Sequence, residues 1–214
     1  MLFSEMTPDA SWEDDFNDWY DREHIPPRMN VPGFRSAQRY VVPNTRNYLA
    51  VYEMQSPAVL RTPAYQAVKN NPSERTTRML GGVAGFTRYV AEEIGDQEGR
   101  TTDALDAPYL YAVFFDVPAE WHDDFDAWYG KDHIPVLMEC DQWLMVRRFW
   151  IADGEPKSWT HLALHYIADP GALRSPARER ARATPWRARL AKETWFSPAY
   201  SVYRRQGSRH RGAA

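Results

Sequence analysis

The chain has 214 residues, 43% apolar and 26% charged, and carries 9 Trp, 12 Tyr and 9 Phe. That aromatic content excludes a disordered chain, and a net charge of −3 leaves no electrostatic footprint for nucleic acid. The single cysteine, Cys140, excludes an internal disulfide and a multi-thiolate zinc site, and fits a cytoplasmic setting.

Nothing in the sequence approaches the ~18 consecutive apolar residues of a membrane helix, and no charged-then-apolar leader opens the chain. Neither membrane nor export is therefore expected. Taken in chain order, Met1 to Met6 is a short first strand. From Trp12 the apolar residues Phe16, Trp19 and Tyr20 recur at helical spacing between acids, which predicts an amphipathic helix with Ser11 as its cap. The Ile25-Pro26 pair is expected to end or kink it. Phe34 to Val42 and Tyr48 to Met54 are aromatic and branched and predict a hairpin turning at Pro43-Asn44. Pro57 opens a second helical stretch that Pro72 breaks, and Gly85 to Ala91 supplies a last strand.

The same order then recurs. Trp12 to Pro26 aligns with Trp121 to Pro135 at an offset of 109, nine of fifteen residues identical. Tyr48 to Ala64 aligns with His161 to Ala177 at an offset of 113, seven of seventeen identical. The second copy reads as strand Tyr109 to Asp116, a helix from Trp121, strands Trp143 to Ile151 and His161 to Ile167 turning at Asp153-Gly154, a helical stretch from Pro170 broken by Pro185, and strand Phe196 to Arg204. The expected organisation is a first ferredoxin-like repeat over residues 1–94, a linker over 95–108, a second repeat over 109–205 and a disordered basic tail over 206–214. The fold class is α+β: two β-α-β-β-α-β repeats. In the third strands, Leu49 and Val51 are assigned to the helix layer. Tyr48, Ala50 and Tyr52, with His161, Ala163 and His165 in the second copy, are assigned to the opposite face. That face would be covered by the other repeat's sheet, giving an α/β barrel within one chain.

At Phe16-x-x-Trp19-Tyr20-x-x-x-His24-Ile25-Pro26, Val31-Pro32-Gly33-Phe34 and Arg39-Tyr40, repeated as Phe125-x-x-Trp128-Tyr129-x-x-x-His133-Ile134-Pro135, the sequence resembles the EthD-like branch of the dimeric α/β-barrel superfamily. The second copy departs from it at Cys140-Asp141-Gln142-Trp143. Members normally build the barrel from two chains, so the resemblance implies a fused dimer, present as a monomer with an internal pseudo-dimer or as a homodimer of it. It also implies a small organic ligand, hydrophobic or aromatic. The superfamily includes cofactor-free monooxygenases, muconolactone-type isomerases, polyketide cyclases and haem proteins.

His24 and His133 stand four residues after Tyr20 and Tyr129, beside a phenol, where an imidazole can move a proton at neutral pH. The alternative is a structural helix stop. His161 and His165 share one strand face with Tyr48 and Tyr52 as their first-copy counterparts, and are candidates for proton transfer or for packing. Their spacing on a strand is poor for a metal, and none is expected. Arg39 and Arg148 can hold a carboxylate or pair with the acids of the first helix of their own repeat. The expected function is a cofactor-independent isomerase, lyase or monooxygenase. Its catalytic groups would come from His133, His24, His165 and Tyr129, and its binding groups from Trp128, His161, Tyr20, Trp19, Tyr48, Tyr52 and Arg148. The alternatives are a non-catalytic binding accessory of a metabolic pathway and a haem protein. The copies are expected to be unequal, since Asp21 becomes Gly130 and Arg28 becomes Leu137. Loss of the Asp21 carboxylate, taken to raise the pKa of His24, would leave His133 the better base. That places the principal pocket in the second copy, around His133, Tyr129 and His165.

Overall fold

The structure, a computed structural model, describes residues 1–95 and 99–213. The chain divides into two compact units. Unit 1 comprises Met1–Glu92, Ala152–Lys157 and Gln206–Ala214, and unit 2 comprises Glu93–Ile151 and Ser158–Arg205.

Unit 1 runs β1 (Leu2–Thr7), α1 (Glu13–Trp19), α2 (Ile25–Met29), β2 (Phe34–Val41), β3 (Tyr48–Met54), α3 (Pro63–Asn70), α4 (Glu74–Gly82) and β4 (Ala84–Ile94). Unit 2 repeats that order with β5 (Tyr109–Phe115), α5 (His122–Trp128), α6 (Ile134–Leu137), β6 (Trp143–Glu155), β7 (His161–Ile167), α7 (Pro176–Ala183), α8 (Pro185–Leu190) and β8 (Ala199–Arg211). β1 lies between β3 and β4, and β2 pairs with β3, all antiparallel. In unit 2, β5 lies between β7 and β8 and β6 pairs with β7, again antiparallel. The strand order β1-β3-β2-β8-β5-β7-β6-β4 closes as a barrel.

The helices obey local rules. Thr62, Ser73, Ser175 and Thr184 each accept a hydrogen bond from a first-turn N–H of α3, α4, α7 and α8. Each such cap is worth about 1 kcal/mol. Asp9, not Ser11, caps the 3₁₀ turn that leads into α1, through a 2.9 Å bond from the Ser11 N–H. Pro57 opens a 3₁₀ turn, and the α-helix proper begins at Pro63.

Several expectations need correcting. The Ile-Pro pairs do not end the helices: a π-helical turn, Tyr20–His24 or Tyr129–His133, carries the chain into α2 or α6 with proline inside its first turn. A proline there costs little because a helix's first N–H groups have no intrahelical acceptor. Asp153-Gly154 lies inside β6, which runs on to Glu155. Residues 206–211, expected in a disordered tail, continue β8, and the Gly212 N–H bonds the Arg35 carbonyl. Of the expected linker, residues 96–98 lie outside the described residues, as does residue 214 of the tail, while Ala104–Asp106 forms a 3₁₀ turn.

The face assignment in the third strands is reversed. Tyr48, Ala50 and Tyr52 belong to the core that includes Phe16, Trp19 and Tyr20 of the helix layer. The Tyr48 hydroxyl reaches the Glu13 carboxylate at 2.6 Å. In unit 2, Ala163 packs in the core with Phe125, Trp128 and Tyr129, and His165 bonds Tyr129. Leu49 and Val51 occupy the other strand face and are equally buried. With both faces dry, hydrophobicity carries no information about which residues meet the helices.

Candidate active site

The site is built from the α5 segment upward. Phe125, Trp128 and Tyr129 recur at helical spacing and are buried against β5 and β7. The following turn is π-helical, with the Ile134 N–H bonded five residues back to the Tyr129 carbonyl. The wider turn brings the His133 ring to 4.8 Å from Trp128 and 5.2 Å from Tyr129, centroid to centroid. π-turns are rare and recur at functional sites.

Below Tyr129 a buried chain of hydrogen bonds has only one consistent direction. The indole N–H of Trp143 donates to His165 Nδ1 at 3.1 Å. An indole nitrogen can only donate, so Nδ1 holds the lone pair. Burial, with His133 and Arg178 nearby, holds the His165 pKa well below its ordinary value, so the ring is neutral and its proton sits on Nε2. That N–H donates to the Tyr129 hydroxyl at 2.8 Å. The phenol therefore accepts from His165 and keeps its own O–H to give away.

A cavity of about 120 Å³ opens over this phenol. Its walls include Trp128, Trp143, Leu137, Phe196 and Tyr111, and its polar groups are Tyr129, His133, His165, Arg178, Arg182 and Arg187. Tyr200, 64% exposed, and the exposed Arg182 stand at the solvent side. His133 Nδ1 lies 3.3 Å from the Ala181 carbonyl. A carbonyl only accepts, so Nδ1 carries the proton and Nε2 the lone pair. Burial lowers the His133 pKa to about 4, against the opposing pull of the Ala181 carbonyl and with the help of Arg187. The ring is thus a neutral base at pH 7. The Trp128 indole N–H is buried and has no partner among the described residues. Its counterpart Trp19 donates to Thr76 at 3.0 Å.

The remaining predicted residues lie elsewhere. His161 Nδ1 lies 2.9 Å from the Thr160 hydroxyl, and its ring packs edge-on or tilted against Phe125, His122 and Trp150. With Arg148 it borders a separate hollow of about 10 Å³. Burial, then His122, push its pKa down to about 3. Arg148, on β6, donates through Nη1 to the carbonyl and carboxylate of Asp126 on α5, at 3.0 and 3.1 Å, so it pairs with an acid of its own unit's first helix. Arg39 donates to the Asp21 carboxylate at 3.0 Å and to the Asn17 side-chain carbonyl at 2.6 Å.

In unit 1, His24 is buried between Trp19 and Tyr20, and its Nδ1 has no partner among the described residues. Tyr52 takes the place of His165, and its hydroxyl is 3.4 Å from that of Tyr20, a long contact. Tyr48 bonds Glu13 and Asn17. The expected influence of Asp21 on His24 is absent: Asp21 pairs with Arg39, and burial, then Arg28, hold the His24 pKa well below its ordinary value. The cavity thus gathers His133, His165, Tyr129 and Trp128, while His24, Trp19, Tyr20, Tyr48 and Tyr52 cluster in the core of unit 1.

Three arginines and Trp143 were not among the sequence-predicted site residues. The arginines gave only a weak signal: Arg178 and Arg182 are spaced i, i+4 on one helix face, but Glu179 stands i, i+3 from Arg182 and makes the segment read as a solvated helix.

No family model matches the sequence, and no curated protein matches it. Among solved structures, the chain is similar to an anthrone oxidase-like protein, with a TM-score of 0.70 at 11% identity over 100% of this chain and 93% of the other. It is similar to a candidate monooxygenase from Lactobacillus acidophilus, with a TM-score of 0.57 at 10% identity over 100% and 97%. A chlorite dismutase variant from Candidatus Nitrospira defluvii matches with a TM-score of 0.58 at 7% identity over 96% and 92%. At these identities the likeness is one of fold: the chain shares the α/β-barrel architecture of these proteins.

Proposed function

We propose that this chain is a small-molecule enzyme that works by proton transfer, without a bound cofactor, in the cavity of unit 2. We also assign it, on its repeated motif, to the EthD-like branch as a duplicated chain. The observation that carries the catalytic proposal is the directed chain from Trp143 through His165 to Tyr129, which ends on a phenolic O–H beside a neutral imidazole. His133 Nε2 takes a proton from an acidic C–H or O–H of an aromatic ketone or phenol. The charge that develops on the substrate oxygen accepts the Tyr129 proton in a hydrogen bond, the arrangement of an oxyanion hole. His165 contributes orientation: its Nε2–H occupies one phenol lone pair and so aims the hydroxyl.

The same enolate or phenolate is the common first intermediate of isomerisation and of direct oxidation by dioxygen. Likeness in fold to an anthrone oxidase-like protein favours the second route, and a cavity of about 120 Å³ calls for a single-ring carbon acid, phenylacetone, as the probe. The test is exchange of the methylene protons of phenylacetone in D₂O, followed by proton NMR. The wild-type protein should accelerate exchange, His133→Gln should abolish the acceleration, and Tyr129→Phe should lower it by about 10²–10³. His24→Gln should leave it intact. Loss on His24→Gln with retention on His133→Gln would place the chemistry in the wrong unit, and no acceleration over buffer would sink the carbon-acid proposal.

A further inference from the structure

We propose that the ligand of the unit 2 cavity is an aromatic carboxylate, its ring against Trp128, Trp143 and Phe196 and its anionic group held by Arg178 and Arg187 with Arg182 at the mouth. This deepens the proposal above by naming a substrate class, and it rests on that site but not on its proton chemistry.

Three guanidiniums converge on one cavity. Elsewhere in unit 2 most arginines find acids: Arg147 meets Glu93, Arg148 meets Asp126, Arg180 meets Glu139 and Arg189 meets Asp124, while the exposed Arg174 and Arg204 stand in solvent. Arg178, Arg182 and Arg187 have no carboxylate within 4.0 Å among the described residues. Instead Arg178 donates to the Leu173 carbonyl at 2.9 Å, and Arg187 donates to the Arg182 carbonyl at 3.2 Å while lying over the Phe196 ring. Each guanidinium has five N–H donors, so both keep most of theirs for a ligand. Arg178 and Arg182 stand one turn apart on α7, where like charges repel. Burial and those two neighbours lower the Arg187 pKa.

The fold does not require this cluster. At the same offset of 113, unit 1 has Tyr65, Lys69 and Glu74, and Tyr65 stacks on Phe34 at 5.7 Å. The unpartnered Trp128 N–H adds a further donor that a carboxylate oxygen would satisfy. The cavity's 120 Å³ suits one aromatic ring, since a dry cavity of about 150 Å³ takes benzene. An anion placed here would also relieve the cationic field that helps hold His133 neutral, and so strengthen it as a base once the ligand is bound.

Benzoate and its neutral isostere benzamide are the probes, titrated at pH 7 into the full chain while the tryptophan indole N–H signals are followed by NMR. Benzoate should bind about tenfold tighter than benzamide. Arg178→Gln and Arg187→Gln should each weaken benzoate by about tenfold and leave benzamide unchanged. Arg182→Glu, at an exposed position that does not threaten folding, should weaken benzoate alone. Equal affinity for the two probes, no shift with benzoate at tens of millimolar, or benzoate affinity indifferent to all three variants would overturn the proposal. The two proposals fail separately. Arginine-dependent benzoate binding with turnover intact in His133→Gln refutes the catalytic one only, and charge-blind binding with turnover lost in His133→Gln refutes this one only.

Discussion

Tyr129→Phe tests the directed hydrogen-bond chain through stability alone. The substitution removes one oxygen and almost no volume, so it creates no cavity to confuse the result. It does strip the acceptor from the His165 Nε2–H, 2.8 Å away on a ring that is 1% exposed. The imidazole cannot escape by moving its proton to Nδ1, because the Trp143 N–H already donates there. A buried donor left unsatisfied costs about 1–3 kcal/mol. The neighbouring cavity can admit a water as a substitute acceptor, which sets the expected loss at about 1–2 kcal/mol. Tyr20→Phe is the internal control. Its hydroxyl meets Tyr52 at 3.4 Å, beyond good O–H···O distance, and two hydroxyls can rotate freely. Its loss should cost no more than about 0.5 kcal/mol. Urea unfolding at pH 7 measures both. With an m-value of about 2 kcal/mol/M, Tyr129→Phe should lower the midpoint by about 0.5–1 M and Tyr20→Phe by about a quarter of that. Equal losses in the two variants would refute the directed chain.

Two further predictions concern pH and backbone. His133, with a folded pKa of about 4 against about 6.5 unfolded, takes up its proton more readily when unfolded, so its stabilisation is complete above pH 6.5 and is lost as pH falls toward 4. His133→Gln should therefore flatten the dependence of unfolding free energy on pH between 5.5 and 4.5 by about 1.4 kcal/mol per pH unit, and an unchanged slope would contradict the neutral buried imidazole. Gly33 has φ of +96° and a Cβ there would lie 2.5 Å from Val59 Cγ2, whereas Gly207 has φ of +65° with open space around it. Gly33→Ala should cost about 1–3 kcal/mol in thermal unfolding and Gly207→Ala about 1 kcal/mol, and the reverse order would show that the clash is relieved by movement of Val59.

The two units differ at matching positions. Unit 1 uses phenols where unit 2 uses imidazole and guanidinium: Tyr52 for His165, Tyr65 for Arg178. Phenols at those positions fill space and share hydrogen, which makes a core. The imidazole and guanidiniums leave a cavity with charge around it, and a Trp128 N–H without the hydroxyl that satisfies Trp19. Among the described residues no helix is long and apolar enough to cross a membrane.

The element order was legible in the residues because periodicity and punctuation are local. Aromatic spacing in Phe125, Trp128 and Tyr129 dictates a buried helix face, and Ser or Thr before proline dictates the caps of α3, α7 and α8. Strand ends were not legible, since β6 and β8 run beyond their apolar stretches: residues 206–211 are polar and basic, and backbone pairing, not side-chain hydrophobicity, makes them strand. The direction of Tyr48 and His165 was also out of reach, because Leu49 and Val51 are as deeply buried and only the tertiary structure decides which face meets the helices. Of the site, the sequence alone placed a phenol and an imidazole four residues apart. It could not show that the intervening turn is π-helical, that Trp143 sets the tautomer of His165, or that α7 and α8 bring three arginines to the same hollow. The last two depend on groups far apart in the chain coming together, which sequence spacing does not encode.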